Sequence, residues 1–448
     1  MLNTPGICLE QYALSFQNGF LPDSPPLQQL PDPYYSPWES IVANLPARIE
    51  ERVIRQSVDE LPILTTSKLA SEPEWRRAYV VLAYLTHAYI WGGDTPREVR
   101  DPSLWLSTVS PCWVLPPCIS RPFIEVSKHL ELPPCATYAA LNLWNFRISQ
   151  ENADLTDPVN LSVVNSFTGT KDEEWFFMLS VALEAKGAQL IPLMTNAIQA
   201  ASVDDAVLVK AHLDQLAEGL VELGELLERM YEHCQPTVFY HQLRPFLAGS
   251  KNMAVAGLPR GVYYNMGDGE GEWRQHSGGS NAQSSLIQTF DIFLGVVHHA
   301  TGEAKDSTVK PPVASKGGFI EQMRKYMPGP HRRFLEMLVR TANVRSYALS
   351  HKADSPVRDA YNGAVMSLGR FRDKHVKMVT RYIIGPARGT PLSETSSQIN
   401  LATRTSTRME SWNGQGVTDG VHGTGGTDLI PFLKQTRDTT KAAACYSD

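Results

Sequence analysis

The sequence predicts an all-α, mainly helical fold, and three stretches carry that reading. Pro356 to Ile384 keeps apolar residues at helical spacing for nearly thirty positions without a break. Val203 to Cys234 repeats Leu208, His212, Leu216, Leu220, Leu223 and Leu227 close to one stripe. Asn281 to Ala300 is apolar on nearly every face, a pattern that suits a deeply buried helix.

In chain order, the first forty residues hold Pro22, Pro25, Pro26, Pro31, Pro33 and Pro37. Proline lacks an amide donor and resists helix interiors, so this part reads as an extended arm. From Trp38 to Trp91 the spacing turns helical. Leu115-Pro116-Pro117 and Leu132-Pro133-Pro134 bracket a less regular stretch with room for short strands, and the polar run Ser149 to Asp172 is the best candidate for a domain junction. Gly267-Asp268-Gly269-Glu270-Gly271 is acidic and reads as a turn, and His298-His299 as a helix end. Pro328 and Pro330 split Gly318 to Arg340 into two helices. Beyond Pro386 periodicity is lost until a short helix near Leu429 to Thr436.

Composition narrows the function. The chain has 448 residues, 42% hydrophobic and 20% charged, with a formal net charge of −6. No Lys/Arg cluster offers a face to nucleic acid. Cys8, Cys112, Cys118, Cys135, Cys234 and Cys445 are scattered, with no CxxC pair, and read as reduced thiols of a cytoplasmic protein. The longest apolar stretch, Ala78 to Trp91, is too short to span a bilayer, so no membrane partner is expected. No HExxH helix, GxSxG elbow or phosphate loop is present.

Four features carry chemistry. His375 has Phe371, Arg372, Met378 and Val379 three and four residues away, so one imidazole stands on an apolar helix face. A haem ligand requires this, yet a core histidine bonded to a carbonyl is the commoner cause. Asp291, inside LIQTFDIFL, needs a partner if buried, and Arg372 is a candidate; a solvent-facing edge is the alternative. Arg244, among Phe239, Tyr240 and Phe246, suits either a ligand carboxylate or a surface acid. The run Ser277 to Ser285 allows close approach of backbone to a ligand, or simply caps a helix.

Together these pieces resemble the indoleamine 2,3-dioxygenase family, along most of the chain. The blocks are LELPP at 130–134, GGSNAQSS at 278–285, RKYMPGPHRRF at 324–334, RDKHVKMVTRYI at 372–383 and TGGTDL at 424–429. The resemblance implies a smaller, mostly helical N-terminal domain over 1–167 and a large helical domain over 168–448, with haem b between them and O2 as co-substrate. It implies that His375 is the iron ligand, supported by Arg372 and Asp291 beside a propionate. Phe239 and Arg244 would pack on the indole and bind the carboxylate of L-tryptophan or a related indoleamine. Phe176 and Ser180 would be distal-pocket residues, Tyr138 a wall residue, Gly279 and Ser280 the loop above the haem, and Thr424 part of a mobile loop over the substrate amine. The product would be N-formylkynurenine, with both oxygen atoms inserted across the indole C2–C3 bond, and a monomer is the family's usual state.

Leu141, Asn142, Asn281 and Ser250 to Met253 depart from the vertebrate pattern and look more like the fungal branch. They leave two rivals: a dioxygenase for a substituted indole, and a weakly active haem-binding sensor of the same fold. A helical scaffold without cofactor would leave His375, Asp291 and Arg372 without a reason.

Overall fold

The computed structural model describes residues 8–93, 113–253, 256–298, 318–352, 355–388 and 429–445. Helices dominate, and the described strands are five segments of two to six residues. The all-α expectation holds.

The N-terminal helices are α1 (Ser36–Val42), α2 (Leu45–Glu50), α3 (Ile54–Asp59), α4 (Glu72–Trp91) and α5 (Pro117–His129). Each of α1, α2, α4 and α5 has a proline in its first two positions, where a missing amide costs no hydrogen bond. The stretch between the two Pro-Pro pairs is therefore mainly a helix, and the short strand β1 (Val114–Leu115) lies just before the first pair. From Ala78 to Ile90 every residue of α4 is buried, and Tyr79, Tyr84 and Tyr89 are wholly so. The polar run expected as a junction begins just after β2 (Phe146–Ile148) and contains its antiparallel partner β3 (Leu161–Val163).

Next come α6 (Lys171–Ala188), α7 (Leu190–Ser202) and α8 (Ala206–Glu228). Thr170 caps α6 by accepting from Glu173 N, while buried Glu173 accepts the Phe167 and Thr168 amides at 2.8 and 2.7 Å. In α8 the buried stripe is Val209, Leu213, Leu216, Leu220, Leu223 and Leu227. The expected stripe is corrected at its start: Leu208 is exposed and His212 only half-buried. Two successive steps of four residues overshoot a turn, whereas alternating fours and threes stay on one face.

A helical turn α9 (Arg244–Leu247) precedes a hairpin, β4 (Val262–Gly267) with β5 (Glu270–Arg274), whose turn is the acidic glycine-rich run. Positive φ at Gly267, Asp268 and Gly269 explains that composition, and β1 joins β4 in parallel. Sequence reading found the turn but not its strands. The apolar stretch after residue 281 gives α10 (Ser285–Phe293). It is shorter than expected, and His298 lies beyond its end. The longer helices that follow are α11 (Gly329–Thr341), α12 (Val344–Ser350), α13 (Pro356–Val379) and α14 (Leu429–Lys441). The long expected helix is α13, continued by a π turn over Thr380–Ile384.

Two large hydrophobic clusters result. One gathers Trp38, Tyr79, Tyr84, Phe123, Trp144, Phe177 and Leu243, and the other the facing surfaces of α7, α8, α10, α11 and α13.

A buried ion pair ties the arm to the first cluster. Arg77 on α4 donates to both oxygens of Glu39 on α1 and to Asn165 Oδ1, and Glu39 also accepts the Leu30 amide at 2.9 Å. Arg77→Met or Glu39→Leu alone strands a buried charge and should lower unfolding free energy by about 3–5 kcal/mol. Denaturant titration checks this, and a loss typical of a surface pair, below about 1 kcal/mol, would contradict it.

Candidate functional site

The two clusters meet at a cavity of about 260 Å³, lined by Tyr138, Leu141, Phe239 and Met378 from the first and by Leu223 and Leu286 from the second. It also takes in Leu429, Phe432 and Leu433 of α14. All ten sequence-predicted site residues that fall within the described segments line it: Tyr138, Phe176, Ser180, Phe239, Arg244, Gly279, Ser280, Asp291, Arg372 and His375. Thr424 lies outside the described residues.

Local backbone explains much of this convergence. Three π turns, Ala139–Leu143, Phe239–Leu243 and Thr380–Ile384, each give residues to the wall. The first provides Leu141 and Asn142 just after Tyr138, the second Phe239 just before Arg244, and the third Tyr382 and Ile383. A π turn inserts one residue into a helix and shifts the side chains after it. Periodicity at 3.6 residues could not find these shifts. On α6, Phe176, Ser180 and Glu184 follow at four-residue steps along the cavity. Phe176 packs on Phe239 with centroids 4.9 Å apart, and Phe239 meets Tyr382 edge-on at 5.8 Å. The Ser180 hydroxyl donates to Phe176 O at 3.2 Å.

The loop from Gly278 to Ser280 approaches this wall closely. A Cβ at Gly279 would stand 2.5 Å from Leu141 Cδ1, and one at Gly278 would stand 2.1 Å from Leu247 O. Ser280 accepts from Ala282 N at 3.3 Å, and Ser284 caps α10 by accepting from Ile287 N at 3.3 Å. The run thus serves as helix cap and as close backbone approach together.

Electrostatics are concentrated in three groups. Arg372 Nη2 donates to both oxygens of Asp291 at 2.7 Å, and its Nη1 bonds Thr440 Oγ1. His298 Nε2 bonds Asp291 Oδ2 at 2.8 Å. Burial alone would raise the Asp291 carboxyl, but Arg372 and His298 outweigh it and hold it below the ordinary carboxylate range. The pairing inferred from sequence is present, and His298 and Thr440 are partners that sequence reading missed. One turn beyond Arg372, His375 makes no hydrogen bond among the described residues. Burial, with Arg372 adding to it, pushes its imidazole down to about 4, so it is neutral. Arg244 is buried with its guanidinium 5.5 Å from the Tyr240 ring centroid, and burial lowers it only to about 10, so it stays cationic.

A further missed residue is Glu184. It is buried, lines the cavity and accepts from Ser284 Oγ at 2.6 Å. Its position four residues after Ser180 was the available signal. Among the described residues no three His, Cys, Asp or Glu side chains gather as a metal site. A bare ion has no ligand set there, whereas a metal carried in a macrocycle needs only one protein ligand.

Comparison with known proteins gives a consistent result. The family profile described as "Indoleamine 2,3-dioxygenase" matches residues 8–443. The indoleamine 2,3-dioxygenase nanC of Aspergillus nanangensis is 41% identical, covering 99% of this chain and 98% of its own length. The Saccharomyces cerevisiae indoleamine 2,3-dioxygenase is 39% identical over 97% of this chain and 93% of its own. The 6-hydroxytryptophan 2,3-dioxygenase fscD of Fusarium equiseti is 36% identical over 96% of each.

Burial pushes the Glu184 carboxyl up to about 7 from an ordinary 4.5. A raised carboxyl contributes stability that is complete below pH 4.5 and is lost as pH rises to about 7. Glu184→Gln removes that loss, worth roughly 3 kcal/mol. Melting temperatures of the two proteins should therefore diverge in the variant's favour between pH 5 and pH 8; a constant difference would contradict the assignment.

Proposed function

This chain belongs to the indoleamine 2,3-dioxygenase family, and from that premise we propose that it binds haem b through His375 and uses O2 to open the indole ring of L-tryptophan, giving N-formylkynurenine. The observation that carries the reading is the single neutral imidazole, without a hydrogen-bond partner among the described residues, on the wall of the cavity between two cores. The apolar residues around it, Leu223, Phe371 and Met378, suit a macrocycle and exclude water. Bound there, haem supplies the iron chemistry that activates O2.

The chain's own residues supply position. The Asp291–Arg372 pair fixes α13 against α10 and so orients His375, with Arg372 offering its charge to a propionate. Arg244 is a buried cation suited to the carboxylate of an amino-acid substrate. Phe176 and Phe239 offer ring faces to the indole, and Tyr138, Gly279 and Ser280 close the wall around it. Ser180 orients the bound substrate and carries no proton. Thr424, by family resemblance, closes over the substrate amine. We further propose a cytoplasmic monomer in which the divide between 1–167 and 168–448 brackets the haem. The five described cysteines are free thiols, which supports that compartment.

One observation favours a ring-substituted indole as second substrate. Asn142 is a buried amide on the cavity wall, and its Oδ1 has no hydrogen-bond partner among the described residues. The Fusarium relative's name supports the same extension.

His375→Ala should purify without haem, read as loss of the Soret band, and a wild-type Soret band would contradict ligation by His375. Arg244→Leu should raise KM for L-tryptophan by roughly ten- to a hundredfold, the loss expected for one buried charged hydrogen bond. An unchanged KM would contradict its role.

A further inference from the structure

His87 is a buried histidine that the reaction does not use. It lies on α4, is 2% exposed, and makes two hydrogen bonds to distant parts of the chain. Its Nδ1 stands 2.7 Å from Phe246 O, and the Ala136 amide donates to its Nε2 at 2.9 Å. A carbonyl can only accept and an amide N–H can only donate, so the ring must be the neutral tautomer with its proton on Nδ1. Burial pushes its pKa down to about 4, which agrees with that state.

The two partners belong to separate segments that each give a residue to the cavity wall. Phe246 is in α9, two residues after Arg244, and Ala136 is two residues before Tyr138. The same face of α4 strengthens the first link. Trp91, four residues on, donates from Nε1 to Ala248 O at 3.0 Å. Tyr84, three residues back, stacks on Phe167 at 4.3 Å, and Phe167 stacks on Phe246 at 5.0 Å. The second link continues from Tyr138 N to Gln283 Oε1 at 2.9 Å, and from Gln283 Nε2 to Gly278 O at 2.8 Å. The circuit closes where Gly278 packs against Leu247 and Gly249.

We propose that His87 is a positioning residue for the substrate: by bridging Phe246 and Ala136, it holds the Arg244 turn and the Tyr138 turn at a fixed separation along the cavity wall. The inference rests on the carboxylate-binding role of Arg244. A substrate with a carboxylate and a ring must meet both turns at once, and an ångström of misplacement weakens that double contact. His87 does not line the cavity, so its removal acts on binding more than on turnover.

The test uses haem-loaded, full-length protein and steady-state kinetics with L-tryptophan and with tryptamine, which lacks the carboxylate. His87→Leu should raise KM for L-tryptophan about tenfold and change kcat by less than about twofold, with the Soret maximum unmoved and KM for tryptamine little altered. His87→Gln, whose amide can donate to one partner and accept from the other, should bring KM back to within about threefold of the native value. Trp91→Phe removes only the neighbouring bond at a partly exposed position and should raise KM for L-tryptophan a few-fold; it reads the same link if His87→Leu does not fold. Equal losses for the two substrates, a fall in kcat alone, or no rescue by Gln would overturn the proposal. If Arg244→Leu itself leaves KM for L-tryptophan unchanged, the fault lies in the substrate-binding reading and not in His87.

Discussion

An ionised carboxylate cannot be left alone inside an apolar helix, and Asp291 is where this molecule meets that constraint. The cost is answered by Arg372 from α13, with His298 and Thr440 completing the network around the two charges. Because Arg372 is three residues before His375, the bond that satisfies Asp291 also fixes the rotation and height of the helix that presents the imidazole. The Thr440 contact brings α14 into the same arrangement, and α14 closes one side of the cavity. A single buried pair thus sets the floor of the site, and truncating either member leaves the other charge stranded.

The walls obey a different rule. They are built at irregularities, three π turns and a glycine-rich loop, where the helical repeat is broken to aim side chains inward. Such breaks cost local regularity; packing against α4 and α6 supports the first two, and Tyr382 ties the third to the Met230 and Cys234 carbonyls. His87 and Trp91 on α4, with Ser180 and Glu184 on α6, show how regular helices support irregular walls. The polar atoms are few, and each answers either to the fold or to a ligand that the cavity is shaped to take.

Much of this was legible in the sequence, for reasons that can be named. Long helices declare themselves by spacing, so α8 and α13 were found, although the first two turns of the α8 stripe were placed one residue early. The Asp291–Arg372 pair was legible because a carboxylate in an apolar run demands a cation. The roles of Phe176, Ser180, Tyr138 and Gly279 came from family resemblance, since nothing in their spacing marks them. The β4–β5 strands were missed because a hairpin this short lacks the alternation that signals strand. The π turns were missed because their one-residue insertions look like ordinary helix. His298, Glu184 and His87 were passed over because their meaning lies in partners distant along the chain, Asp291 excepted.

On the function proposed above, one neutral imidazole at His375 and one buried cation at Arg244 are the two groups that, with haem bound, would make the cavity a tryptophan-opening site. The most direct measurement supplies the reduced, haem-loaded protein with L-tryptophan and isotopically labelled O2, and analyses the product by mass. The expected product is N-formylkynurenine carrying both labelled atoms. A normal haem spectrum with no tryptophan-dependent product, or a product with only one labelled atom inserted, would contradict it.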